Sequence, residues 1–424
     1  MKERNSNSPA SAGALSGLKV LDMTRALAGP YCTMLLADQG AEVIKVESLD
    51  TGDGTRSMAP FPPEFKDRKP FGGYFQSVNH NKKSIVVDLK SDEGKQIIKT
   101  LVAESDVLVE NFRSGVMEGL GLSFEILSGI NPKLVYCAIR GFGDPRTGKS
   151  PYSAWPAYDV IAQAMGGMMS ITGPKDGEPT KVGPGVGDLV PATLAAFGIM
   201  SAVHHANKTG EGQFVDVAMY DAILAMCERI VPHYSYTGEV PGLEGNAHPT
   251  LCPFGIFPAS DGFIAIACPG DNFWAALCEE MGMPELIDDQ RFRRNYDRAQ
   301  NSEETIDMIS SWTKQFTKKV LADKLGGRLP FGPVQDTADL FSDPHVKQRN
   351  MLALVDQPGS DKQFHITNTP IKMTKTQGGV HSRAPFLGED TTAVLSAIGY
   401  TEAHILALID SNIIQQHQAN DNTG

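Results

Sequence analysis

Asp188 stands behind three glycines, at 183, 185 and 187, in the segment TKVGPGVGDLVPATLAAFGIMSAVHHANKTGEGQ (180–213). The apolar stretch after it has the length of a helix of about five turns and runs to the glycines at 210 and 212. That pattern predicts Asp188 at the helix N-cap, where a carboxylate accepts hydrogen bonds from the first turn and feels the positive helix end, so it stays ionised. For an aspartate taken alone, capping is a sufficient explanation. The glycine-lined approach adds another, because it lets a ligand come close to the carboxylate. A desolvated carboxylate can attack an activated acyl group and form a covalent intermediate, which suits acyl-CoA chemistry.

Three basic residues lie where predicted strands end: Arg113 after DVLVENF, Arg140 after LVYCAI, and Lys45 within VIKVE. The carboxyl ends of parallel strands are the usual ligand edge. Each alone is more commonly a solvated charge; together they suit the phosphates of an anionic cofactor. Tyr158 and Asp159 open a helix in PAYDVIAQAMGGMMSITG, and capping and packing explain them as well as a site does. His204 and His205 fall late in the apolar helix, in a structural position, and GxSxG is absent.

The first half of the chain alternates short apolar runs with helical patterns. GLKVLDM (17–23), AEVIKVE (41–47), SIVVDL (84–89), DVLVEN (106–111) and KLVYCAIRGFG (133–143) read as strands. YCTMLLADQG (31–40) and SDEGKQIIKTLVAE (91–104) read as intervening helices, the former closed by a glycine. The economical solution is a doubly wound parallel sheet, an α/β fold. No GxGxxG follows the first strand, so the usual dinucleotide fingerprint is missing. From about 245 the texture changes to that of a smaller second domain. NTPIKM and the helical pattern after it return to strand-then-helix.

With 424 residues, 41% apolar and 21% charged, the chain has length for two domains. A net charge of −12 argues against nucleic-acid or anionic-membrane partners. Six cysteines without a CxxC pair indicate neither a zinc site nor a disulfide framework, and a reducing cytoplasm fits best. The leader 1–16 and the tail 413–424 are polar and read as disordered; no signal peptide and no run of about 18 apolar residues is read.

Several ordered blocks carry a family resemblance: LDMTRALAGPYCTMLLADQGAEVIKVE, NHNKKSIVVDLKS, ENFRSG, AYDVIAQAMGG, GVGD, KTGEGQFVDVAMYDA, FGPVQDTADLFSDPHVKQRNM and RAPFLGED. From about residue 17 to 410 the chain resembles the class III CoA-transferases, the group that includes formyl-CoA transferase, carnitine CoA-transferase and alpha-methylacyl-CoA racemase. The resemblance implies a large domain from both chain ends (17–220 and 349–412), linkers at 221–244 and 326–348, and a small domain at 245–325. It also implies an interlocked homodimer. Asp188 aligns with the catalytic aspartate, and Ala28, Asp88, Leu89, Lys90, Asn111, Phe112, Arg113, Tyr158 and Asp159 align with CoA contacts. The implied reaction moves CoA from an acyl-CoA to a carboxylic acid, with CoA entering as part of the substrate and no tightly bound cofactor.

Two departures bear on substrate. Leu27 replaces a glutamine that helps close on oxalate, and NAHPTLCPFG (246–255) replaces a glycine-run loop. An acid larger than formate is expected. Where the racemase branch has a histidine, this chain has Tyr158, whose ordinary pKa of about 10 suits proton abstraction poorly. Transfer is thus favoured over racemisation, and retention of the nucleophile with its glycine approach favours it over a silent CoA-ester binding protein.

Overall fold

A computed structural model describes residues 13–65 and 72–417; the predicted leader up to residue 12 and the tail from 418 lie outside them. The chain divides into two units. One comprises residues up to Met168, Val182–Val231 and Lys347 onward, and the other Met169–Lys181 with Pro232–Val346.

The first unit is built on a seven-stranded sheet. In chain order its elements are β1 (Lys19–Asp22), α1 (Ala28–Asp38), β2 (Glu42–Glu47), α2 (Gly73–Asn79), β3 (Lys83–Val87), α3 (Asp92–Ala103), β4 (Val107–Glu110) and β5 (Val135–Arg140). There follow α4 (Asp159–Met165), α5 (Val186–Thr209), β6 (Phe214–Ala218), α6 (Met219–Met226), α7 (Thr391–Ala397), α8 (Glu402–Asp410) and β7 (Ile414–Gln415). The strand order is β7-β3-β2-β1-β4-β5-β6, and all neighbours pair parallel except β7 with β3.

Strands covered on both faces must be apolar on both, and β4 and β5 are buried throughout. Leu21, Ile85, Leu108 and Tyr136 face one core with α3, α7 and α8. Val20, Val43, Val109 and Cys137 face the other with α1 and α5. The alternation follows from the two-residue period of a strand. Burying each such aliphatic side chain contributes roughly 1.5–3 kcal/mol. α3 shows how sequence sets a boundary: Ser91 Oγ accepts the Gly94 N–H at 3.0 Å, and Ile97, Ile98, Leu101 and Val102 form its buried stripe.

Several expectations are corrected. β6 completes one edge of the sheet and was not read from the pattern. Residues 221–244, read as a linker, carry the rest of α6 and a helix at Ile230–Thr237. NTPIKM forms no strand; the strands there are Leu352–Asp356 and Gln363–Thr367, an antiparallel pair. Ile414 and Gln415, placed in the predicted tail, pair with Val87 and Val86. α5 has 24 residues and a mean hydropathy of 1.6 in its most apolar window, enough by length and composition to cross a membrane. Here it packs on the sheet through Ala192, Ala195, Ile199 and Ala202.

The second unit holds a three-stranded antiparallel sheet, Phe254–Ala259, Gly262–Ala267 and Phe331–Pro333, the last strand lying in a stretch read as a linker. Trp274, Phe292, Ile309 and Trp312 fill its core. Arg298, fully buried there, donates to the carbonyls of Cys252 and Phe292 and to Asp271.

Candidate active site

Helix α5 begins one turn earlier than its apolar pattern suggests. Gly185 is the N-cap, so Asp188 is the third helical residue, and the N-cap itself has no side chain to close a cap hydrogen bond. The backbone N–H groups of Asp188 and Leu189 both return to the Gly185 carbonyl. Pro191 has no N–H to give the Gly187 carbonyl, which loosens the same turn.

The carboxylate that serves this turn is Asp159, at the start of α4. Its Oδ1 accepts the Gly187 N–H at 2.8 Å. Gly187 is required by this approach: a Cβ there would lie 2.5 Å from the Asp159 carbonyl oxygen and 3.0 Å from Oδ1. Neither Gly185 nor Gly187 adopts a positive φ, so close packing rather than turn geometry accounts for Gly187. A Cβ on Gly185 would meet Leu27 at 3.2 Å, Asp188 Oδ2 at 3.7 Å and the Asp159 carboxyl carbon at 3.8 Å. Leu27, Asp159 and Asp188 therefore converge on one point.

Among the described residues nothing hydrogen-bonds the Asp188 carboxylate. Its pKa is raised to about 6, by burial first and by the charge of Asp159 second. This corrects the expectation that the helix start holds it down: the macrodipole is weaker than desolvation combined with a like charge. Tyr74 of α2 stands in the same electrostatic neighbourhood. Burial raises its pKa, and Asp188, Asp53 and Asp159 raise it further.

Leu27 is carried by the turn between β1 and α1. Ala26 in this turn has φ of 65°, a left-handed conformation that costs a residue with Cβ about 1–2 kcal/mol. A buried polar layer holds it. Ala26 N–H donates to Asp53 Oδ1, Asp53 pairs with Lys45 at 3.1 Å, and Lys45 donates to the Thr24 carbonyl at 2.8 Å. Beside it Lys82 pairs with Asp22 at 3.0 Å; burial lowers its pKa to about 8 despite the attraction of Asp22.

Lys45 is thus sealed in the fold and is no phosphate ligand. Neither is Arg140. It sits buried at the end of β5, bonded to Glu110 and Asp144. Burial pushes Glu110 up to about 7 even against Arg140.

The other expected contacts occupy the carboxyl edge of the sheet. Ala28 is buried at the first position of α1. Asp88, Leu89 and Lys90 form the turn after β3, with Asp88 Oδ1 accepting the Lys90 N–H. Asn111 follows β4 and ties it to the turn after β1, accepting the Arg25 N–H and donating to the Arg25 carbonyl, each at 2.8 Å. Phe112 carries the Arg25 guanidinium 5.2 Å over its ring. Arg113 is exposed and has no ion-pair partner among the described residues. Arg25 and Arg113, following two paired strands, form a basic edge. Tyr158 is 70% exposed at the N-cap of α4, whereas Asp159 is occupied internally.

Reasoning from sequence missed Arg25, Tyr74 and Gln163, which lie outside any recognisable spacing relative to Asp188. The replacement loop NAHPTLCPFG belongs to the second unit, where Ala247 bridges to Gly255 and His248 Nδ1 accepts the N–H groups of Thr250 and Leu251.

Comparison with known proteins gives a consistent picture. The sequence model of CoA-transferase family III matches residues 15–391. A succinyl-CoA:mesaconate CoA-transferase of Haloarcula marismortui is 51% identical, covering 91% of this chain and 97% of its own length. A succinyl-CoA:glutarate CoA-transferase of Mus musculus is 35% identical, covering 95% of this chain and 91% of its own. Among solved structures, a CAIB/BAIF family protein from Brucella suis superposes with a TM-score of 0.79 at 36% identity, over 91% of this chain and 99% of that one.

Proposed function

This chain belongs to CoA-transferase family III and moves CoA between an acyl-CoA and a carboxylic acid, and on that premise we propose Asp188 as the covalent carrier and short dicarboxylic acids as the exchanged acids. The observation that supports the carrier role is the Asp188 carboxylate itself, without a protein hydrogen-bond partner among the described residues and made more basic by burial and by Asp159. Desolvation and raised basicity both strengthen a carboxylate as a nucleophile.

The steps balance without any net proton transfer. Asp188 attacks the donor thioester carbonyl; the C–S bond breaks and CoA leaves as a thiolate, giving a mixed anhydride. The thiolate attacks the aspartyl carbonyl and expels the donor carboxylate, leaving an aspartyl-CoA thioester. The acceptor carboxylate displaces CoA from that thioester, forming a second anhydride. CoA then attacks the acceptor acyl carbon and releases Asp188. Each step exchanges one anion for another, so none of them requires a general base.

Arg25 and Arg113 at the strand edge suit the phosphates of CoA. The acids are those in the relatives' names, succinate with mesaconate or glutarate. Leu27, beside Asp188 where the resemblance implies a glutamine in formyl-CoA transferase, favours a substrate with an apolar middle.

The reading includes the interlocked homodimer that the resemblance implies. Leu194 and Phe197 of α5 stand 43% and 74% exposed, and the helix Ile230–Thr237 buries no residue, so apolar surface is left for a partner to cover.

Hydroxylamine tests the carrier role. With succinyl-CoA present it should convert the aspartyl thioester to a hydroxamate on the peptide containing GVGDLVPATLAAF. Label on another residue, or equal label without the CoA ester, would remove Asp188 from the chemistry.

A further inference from the structure

The start of α5 is held by a side chain on a different helix. Gln163 of α4 is fully buried. Its Nε2 donates to both carboxylate oxygens of Asp159, at 2.8 and 3.0 Å, and its Oε1 accepts the backbone N–H of Val182 at 2.9 Å. Only one orientation of the amide satisfies both partners, because the reverse would set an acceptor against a carboxylate and a donor against an N–H. Asp159 in turn accepts the Gly187 N–H. One glutamine thereby fastens the 182–187 loop at two points, at Val182 directly and at Gly187 through Asp159. The next residue is Asp188.

We infer that Gln163 is the positioning residue for the nucleophile: it fixes the Asp159 carboxylate as the acceptor for Gly187, and so sets both the direction of Asp188 and the negative charge that Asp188 faces. This rests on the reading of Asp188 as the carrier. The alternative is that Gln163 only satisfies buried polar groups. Two features speak against that. One end of the amide binds Val182 in the segment bearing Asp188 and the other binds the carboxylate that accepts Gly187 of that segment, and the charge Gln163 holds in place is one that acts on Asp188.

The surroundings isolate the effect. The elements packed on α5 are α1, α4, α6, β5 and β6. They bring Tyr31, Cys32 and Asp38, then Asp159, then Tyr220 and Asp221, then Tyr136, Cys137 and Arg140, and Asp216. Of these only Asp159 acts on Asp188, and Tyr74 on α2 responds to both aspartates.

The test compares Gln163→Met with Gln163→Glu. Methionine keeps the volume and removes both hydrogen bonds, so the 182–187 loop loses its fastening. A displacement of the reacting carboxylate by about 1 Å costs on the order of 100-fold in kcat, with the KM for the CoA ester little changed. Asp159 is also freed to turn away, so the acid limb of kcat/KM moves to lower pH. Glutamate keeps the volume and the acceptor for Val182 but adds a carboxylate beside Asp159, so that limb moves to higher pH. Opposite shifts in the two variants, with kcat loss at steady KM, are the expected result. If both variants lose thermal stability but keep the parent's kcat and acid limb, Gln163 is structural and the inference falls, while hydroxylamine labelling of Asp188 would still stand. If the parent enzyme yields no label at Asp188, the carrier reading fails first and this inference with it.

Discussion

Oε1 of Glu110 and the guanidinium of Arg140 meet at 2.5 Å, both nearly sealed from solvent, at the carboxyl ends of two adjacent strands. An arginine in a position that suits a phosphate is committed instead to a carboxylate of the fold. Arg140→Met would leave Glu110 buried without its countercharge, a loss of about 3–5 kcal/mol. The melting temperature should drop, while the KM for the CoA ester in the surviving folded enzyme stays within about twofold. A large rise in KM at unchanged stability would put the guanidinium in the substrate site.

Arg113 should behave in the opposite way. It is exposed and carries no ion pair among the described residues, so removing it costs the fold little. A charged hydrogen bond to phosphate is worth roughly 1.5–3 kcal/mol, so Arg113→Ala should raise the KM for the CoA ester by about tenfold or more. An unchanged KM would return Arg113 to the solvated surface.

The raised pKa of Asp188 predicts the acid limb of the reaction. Only the ionised carboxylate attacks, so kcat/KM should fall as pH drops through about 6, rather than below the ordinary 3.8. The same shift reaches stability. Because the folded pKa is raised, this group's contribution is fully present below 3.8 and is lost as pH rises through about 6. Asp188→Asn should therefore melt above the parent at pH 7, with the difference vanishing near pH 4, while losing transfer. A parent enzyme still at full rate at pH 5 would contradict the buried, repelled carboxylate.

If the subunits are interlocked, dilution alone cannot part them. Sedimentation at nanomolar concentration should show a dimer, and loss of the dimer should coincide with unfolding. A folded monomer at that concentration would refute the threading.

Much of the architecture was legible in the chain, because hydrophobic period is a local property. Runs such as VLVE and VYCAIR must be covered on both faces, and their alternation with helices leaves few alternatives to a parallel sheet. The glycines before an apolar helix likewise pointed to Asp188, and the ordered blocks pointed to the family. What sequence could not supply was the state of each charged group, because that depends on partners far along the chain. Asp188 is not the cap of its helix; Asp159, from another helix, accepts that turn's N–H, and its charge raises the basicity of Asp188. Lys45 and Arg140 carry the same charge as Arg113, yet the fold buries the first two against Asp53 and Glu110 and leaves the third in water. Gln163 stands four residues after Asp159 on one helix, a local spacing, but its hold on Val182 and, through Asp159, on Gly187 exists only where α4 meets the start of α5. Periodicity determined which residues are covered; only the tertiary structure decided which charges face one another, because through-space distance, not spacing in the chain, sets a buried group's electrostatics.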